Sequence, residues 1–377
     1  MAHAPAAVAG RPLAPRPATS ATVAPTFSRA DGIGIAALDG ARRGDERAIA
    51  VARRDAAANV EALHRIYNGI DRQSPARGIN HGKPVALAIP RDLNGAFRKF
   101  LTHRSQPSAH FRNDDPRARP NANGTLTAGK AVTYSLHELP HTGDGKRHVV
   151  VTIGGFSSGE LENSSTPGRI WNNKTRAGNQ GAEIGKLVLG ADGEYSRFGR
   201  ALGNFFSKAQ RQDPSLVMSF NGHSLGAEAA SKALQTVTEQ GARAKVALFN
   251  PGPLTEPDDP HAFAAGVEKA GGEREFRKLG ATFRSDKDPV DIVQRLPIAR
   301  QLLEASGAAW DASRYTTGYQ YVDENASGAD HHNHPARNIV HGFNRPNALA
   351  SGRREPIGMA YLRQIAEANR MVVALRR

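Results

Sequence analysis

The chain has 377 residues, 39% of them apolar, and carries 50 Lys and Arg against 36 Asp and Glu, a net charge of +14. With no cysteine present, a disulfide framework, a zinc–thiolate site and a cysteine nucleophile are excluded, and no run approaches the roughly 18 apolar residues of a membrane span. The length suits one large or two ordinary domains, and the positive surplus favours an anionic partner (membrane phosphate, nucleic acid or an acidic protein) without bearing on fold.

Residues 1–45 are dominated by Ala, Pro, Arg, Ser and Thr, with no acidic residue before Asp31 and prolines at 5, 12, 15, 17 and 25. The prolines forbid a continuous helix, so a disordered tail is predicted, and the lack of an apolar segment excludes a Sec signal peptide. Its composition fits an organellar transit peptide and also resembles the leader of a bacterial effector delivered into another cell. The Ala/Arg/Gly bias favours the effector, with a cytoplasmic protein as the alternative. Ile49, Ala52, Ala56, Val60, Leu63 and Tyr67 then recur at helical spacing and predict one long amphipathic helix. A short strand is predicted over Val85 to Ile89, a basic helix near Phe97 and Leu101, and an exposed Pro/Asn/Arg-rich loop over 104–129. Gly124 to Lys130 spells G-x-x-x-x-G-K, but Ala131 stands where Mg²⁺ needs a hydroxyl and no strand precedes the motif. A phosphate loop is therefore rejected.

Val132 to Leu139 and His148 to Ile153 predict two strands joined by a turn around Gly143-Asp144-Gly145. The second is a continuous apolar run, as a strand covered on both faces should be, and it ends in Gly154-Gly155-Phe156-Ser157-Ser158-Gly159. A polar stretch over 162–180 suits a lid or surface excursion. Tyr195, Phe198, Leu202, Phe205, Phe206 and Ala209 trace a helix. Further on, strands are predicted over Val246 to Phe249, Ala281 to Arg284 and Arg314 to Val322, with helices through Phe263 and Val267 and through Ile357, Ala360, Tyr361, Ile365 and Ala368. Alternating strands and helices imply an α/β fold, a mainly parallel sheet with helices on both faces. It would occupy residues 130–377, preceded by a helical extension over 46–129 and the tail over 1–45.

At the centre of this pattern lies Leu216 to Ala230. An apolar run ends in Gly222-His223-Ser224-Leu225-Gly226 and continues into a segment with Ala229, Ala230, Ala233, Leu234 and Val237 at helical spacing. A strand, a sharp reversal and a helix are the context in which G-x-S-x-G forms a nucleophile elbow. A Cβ at 222 or 226 would crowd the neighbouring strand and helix. Ser224 would stand above the sheet edge, with the Leu225 amide aimed at a developing oxyanion. The small residues after the second strand let backbone amides, those of Phe156 and Ser157, supply the other donors. A serine needs a base, and the base a carboxylate. Asp286-Lys287-Asp288-Pro289-Val290-Asp291-Ile292-Val293 follows a strand, and Asp330-His331-His332-Asn333-His334-Pro335 and Val340-His341-Gly342-Phe343 follow the last one, in the chain order Ser, Asp, His. The histidine run is also rich in metal ligands, but adjacent ligands on so short a segment do not wrap a tetrahedral site, so neither metal nor cofactor is expected.

Gly-His-Ser-Leu-Gly, then Asp288-Pro289-Val290 followed by Arg295-Leu296-Pro297, resembles the class 3 lipases and their relatives in the α/β-hydrolase superfamily, over roughly residues 130 to 345. The resemblance implies Asp288 as the triad acid, sixty-four residues after the serine, with Asp291 as runner-up in a slipped register. It places the base before a proline, at His334. The glycine after His341, as in many α/β-hydrolases, slightly favours that residue instead. Two departures stand out: the loop after the second strand lacks the family's Gly-Thr pair, and the tyrosine that follows the histidine in the family is missing. The implied activity is that of a serine hydrolase on carboxylic esters, with acyl lipids as the expected substrates, working through an acyl-enzyme at an anionic membrane surface. The alternative is a non-catalytic or acyl-transferring protein on the same scaffold. Specific nucleic-acid binding has only the charge behind it, because the arginines are scattered.

Overall fold

The computed structural model describes residues 32–373 apart from 69–73, 104–110, 112–113, 118, 122–123, 141, 143, 156–166, 190, 286, 322–331, 333–334 and 344–355. Most of the expected leader lies outside the described residues. Residues 46–377 make one compact unit, so the stretch over 46–129 belongs with the sheet.

In chain order the elements are α1 (Gly32–Asn68), α2 (Ala76–Ile79), α3 (Arg91–Thr102), β1 (Thr125–Ala128), β2 (Val132–Leu139), β3 (Arg147–Ile153), α4 (Pro167–Val188), α5 (Glu194–Gln212), β4 (Leu216–His223), α6 (Gly226–Glu239), β5 (Lys245–Phe249), α7 (Pro260–Lys269), α8 (Glu273–Phe276), β6 (Gly280–Ser285), α9 (Pro289–Gln294), α10 (Pro297–Ala305), β7 (Thr317–Tyr321), α11 (Pro335–Phe343) and α12 (Ile357–Val373). The seven strands lie side by side in chain order. The pairs β1–β2 and β2–β3 are antiparallel, and β3 through β7 run parallel.

Strands β4 and β5 are buried along their whole length, β4 at all eight positions, because both faces are covered. On one face, α3, α5, α6 and α7 pack Phe97, Phe198, Phe206, Leu234 and Phe263 against Tyr134, Leu136, Val151, Phe220 and Leu248 of the sheet. On the other, α1, α11 and α12 meet Ala247, Phe249, Ala281, Phe283, Tyr319 and Tyr321. Ala52, Ala56, Val60, Leu63 and Tyr67 of α1 are all buried there, as their spacing predicts, while Ile49 is only partly covered.

The same face of α1 buries two polar residues that a hydrophobic stripe does not foretell. Asn59 donates to Tyr361 Oη at 3.1 Å and accepts from Asn221 Nδ2 at 3.1 Å. Asp55 accepts from Lys245 Nζ at 2.8 Å and Asn369 Nδ2 at 2.7 Å, and faces His148 Nδ1 at 3.1 Å. Burial alone would raise the Asp55 carboxyl, but the Lys245 ammonium and His148 outweigh it and hold the group well below the usual carboxylate range. One carboxylate thus ties α1 to β3, β5 and α12.

Some sequence expectations give way. Val85 to Ile89 is no strand; Ala88 makes a single bridge to Glu138. The Gly124–Lys130 motif is a hairpin, with Thr125–Ala128 paired antiparallel to β2. The polar stretch over 162–180 contributes to helix α4, from Pro167 to Val188. Side-chain bonds anchor this helix, with Gln180 Nε2 donating to Ala131 O at 3.1 Å and Gly155 O at 3.2 Å. The last strand is shorter than its alternating pattern, because Ala312–Arg314 forms a 3₁₀ turn capped by Asp311, whose carboxylate accepts from Ser313 N at 2.9 Å.

Candidate active site

Strand β4 ends at His223 and helix α6 begins at Gly226, so the chain reverses in two residues. Ser224 takes φ +54°, a left-handed conformation that costs a non-glycine residue energy and persists only where its surroundings enforce it. They do so here. Ser224 N–H donates to Phe249 O at 3.0 Å, and its carbonyl accepts from Gly252 N at 3.1 Å and Ala227 N at 3.1 Å. Space is equally restricted: a Cβ on Gly222 would overlap Gly226 and Ala227, and one on Gly226 would overlap the Ile153 carbonyl. Gly155 completes the fit, since a Cβ there would lie 2.7 Å from Ser224 Cβ.

The acid comes from the loop after β6. Asp288 caps α9, with Pro289 in the first turn, and its carboxylate accepts from Val290 N at 2.8 Å. This is the ordinary chemistry of a helix start, and it fixes a fully buried carboxylate. Asn250, at φ +42°, braces the neighbouring strand ends. Its Oδ1 accepts from Ser285 N at 3.0 Å and Tyr321 Oη at 3.2 Å.

Between serine and aspartate stands His332. Its Nδ1 lies 3.0 Å from both Asp288 oxygens and its Nε2 lies 2.8 Å from Ser224 Oγ. A carboxylate only accepts, so Nδ1 carries the proton and Nε2 is left to accept from the serine hydroxyl. All three side chains are wholly or largely buried.

The sequence expectations divide accordingly. Ser224 and Asp288 are brought together, and the ring joining them is His332, not His341 or His334. His341 lies on α11, its side chain outside the described residues, and His334 is itself outside them. Asp291 is turned away, paired with Arg284 and Arg295. Phe156 and Ser157 lie outside the described residues. Leu225 starts the turn into α6, and its nitrogen lies between Gly155 and Gly252, neither of which has a side chain to cover it.

A second layer escaped the sequence. Gly155 N–H donates to Tyr67 Oη at 2.7 Å, and Tyr67 Oη lies 2.6 Å from His223 Nδ1. His223 Nε2 lies 2.8 Å from His332 O. Burial raises the Tyr67 hydroxyl above its ordinary pKa, against the opposing pull of the Gly155 amide, and so keeps it a donor. The histidine inside the G-H-S-L-G motif was the one available signal for this layer.

Among the described residues no three His, Asp or Glu side chains converge as a metal site, and no helix among them is long and apolar enough to cross a membrane. No protein-family model matches the chain, and no curated protein matches it.

Proposed function

We propose that this protein is a serine hydrolase cleaving carboxylic esters, with acyl lipids as its substrates. The observation that carries the reading is the continuous Ser224–His332–Asp288 hydrogen-bond chain at the carboxyl ends of parallel strands, with the serine held at positive φ. Ser224 Oγ attacks the ester carbonyl as its proton passes to His332 Nε2, and Asp288 faces the resulting imidazolium. The Leu225 N–H and the start of α6 stabilise the oxyanion. His332 then protonates the departing alkoxide, and a water deprotonated by the same ring releases the acid and restores the serine. This arrangement, with the Ser and Asp motifs, supports kinship with the class 3 lipases within the α/β-hydrolases.

The surface beside the acid favours lipid. Immediately after Asp288, Ile292, Val293, Leu296, Ile298 and Leu302 are all exposed, Ile298 to 75% and Leu302 to 57%. Ile298 and Leu302 are four residues apart on α10 and so share a face, while Leu303 turns inward. Exposed Lys287, Arg295 and Arg300 are interspersed with this apolar ridge, the pattern of a surface that enters an anionic bilayer.

A fluorophosphonate probe is expected to label wild type at Ser224 and to leave Ser224→Ala unlabelled, alongside turnover of a short-chain chromogenic ester by wild type alone. Equal turnover by both, or no labelling and no turnover by either, removes the proposal. Separately, Ile298→Asp with Leu302→Asp should lower turnover of anionic vesicle lipid at least tenfold and leave the soluble ester within about twofold, because an apolar face inserts only while it stays apolar.

A further inference from the structure

We propose that Tyr67 and His223 are positioning residues, forming a hydrogen-bond relay that holds the base and Gly155 in register with the serine. The inference rests on the hydrolase reading of Ser224, His332 and Asp288.

Every donor in the relay has a defined direction. The Gly155 N–H can only donate, so Tyr67 Oη accepts it, at 2.7 Å. The His332 carbonyl can only accept, so His223 Nε2 carries a proton and donates it, at 2.8 Å. That makes His223 Nδ1 the acceptor for the Tyr67 hydroxyl, at 2.6 Å. The order is therefore Gly155 N–H to Tyr67, Tyr67 O–H to His223, and His223 N–H to His332 C=O. Ring contacts reinforce it: Tyr67 meets His223 edge-on with centroids 5.1 Å apart, and His223 lies 5.0 Å from the His332 ring.

The relay controls two things the chemistry needs. It fixes the His332 main chain, whose ring is otherwise held by Asp288 and Ser224, so the imidazole is set from both sides. It also fixes Gly155, which packs on Ser224 Cβ and beside the Leu225 nitrogen. A shift at Gly155 would move the serine and its oxyanion donor together. Small misplacements of this kind cost turnover more than substrate binding.

Tyr67→Phe keeps the ring and removes the hydroxyl. His223→Leu removes both polar atoms, and His223→Gln keeps one acceptor and one donor. On a soluble ester, Tyr67→Phe and His223→Leu should lower kcat about 10–100-fold with KM within about twofold, and His223→Gln should recover at least a third of the wild-type kcat. Wild-type kcat in either of the first two variants would overturn the relay. So would a folded His223→Gln as slow as a folded His223→Leu. A readout independent of turnover is the downfield proton resonance of His332 Nδ1, which should shift or broaden in Tyr67→Phe; an unchanged resonance counts against the relay. Absent turnover in wild type would instead strike the hydrolase reading, leaving the resonance to decide the relay.

Discussion

His332→Ala should abolish ester turnover, lowering kcat by about 10⁴–10⁶-fold, the cost of losing a member of a serine–histidine pair that acts as a unit. The ring accepts from the serine at 2.8 Å and faces the buried carboxylate at 3.0 Å, so its loss leaves Ser224 with no base to take its proton during attack and Asp288 without a partner to orient. His341→Ala and His334→Ala should both remain within about threefold of wild type, because one imidazole already fills the place between nucleophile and acid. The measurement is kcat and KM on a soluble chromogenic ester for the three variants together, with far-UV circular dichroism to establish that each is folded. Full activity in His332→Ala, or a collapse in His341→Ala, would reassign the base. Asymmetry among the three is the informative result, since a general loss of fold would reduce them together.

Asp55→Ala should destabilise the fold by about 3–5 kcal/mol, the range for breaking a buried ion pair by removing one partner. The substitution takes the carboxylate from Lys245 Nζ, which is itself buried and is left donating to the neutral Asn369 Oδ1 at 2.8 Å, and frees Asn369 Nδ2 from the bond that ties α12 to α1. Replacing both charges at once, Asp55→Leu with Lys245→Met, should recover a substantial part of the loss, since no charge is then left buried. Urea unfolding followed by tryptophan fluorescence gives the values. The depressed carboxyl also fixes a pH dependence. Because Asp55 binds its proton less readily folded than unfolded, its stabilisation is complete above the ordinary carboxylate pKa of about 4 and is lost as the pH falls toward its lower folded value. Wild-type stability should therefore fall below about pH 4, and the Asp55→Ala curve should be flatter there. Parallel curves would show that another group controls the acid limb.

What the amino-acid pattern discloses depends on how far apart the determining residues lie. Continuous apolar runs at His148 to Ile153 and Leu216 to Phe220 become strands because both sheet faces are covered, and that is visible locally. Ser224 and Asp288 are legible for the same reason: each is built by its own turn, the serine by flanking glycines and the aspartate by a proline that starts a helix. The histidine is not. Three rings fall within four positions at His331, His332 and His334, and which one meets Asp288 is decided by backbone direction, which no spacing encodes. A following glycine pointed to His341, and that cue carries no such direction. Helix α4 is not legible because polar anchors such as Gln180 help to hold it, beside the buried Leu187. Tyr67 looked like one more core position, and its partner His223 lies 156 residues away.

Helix α1 bonds to partners 190 and 314 residues further along the chain. A ribosome adding about 5–20 residues per second exposes this helix, with its apolar stripe and its ionised Asp55, for roughly fifteen seconds to a minute before α12 emerges. Through that interval α1 can already meet the earlier strands at His148, Asn221 and His223, but its Asn369 partner and the apolar face of α12 are still missing, which leaves a sticky surface of the kind that chaperones shield. Closure of this face of the sheet is therefore a late event, since Asp55 completes its hydrogen bonds only once Asn369 has been made.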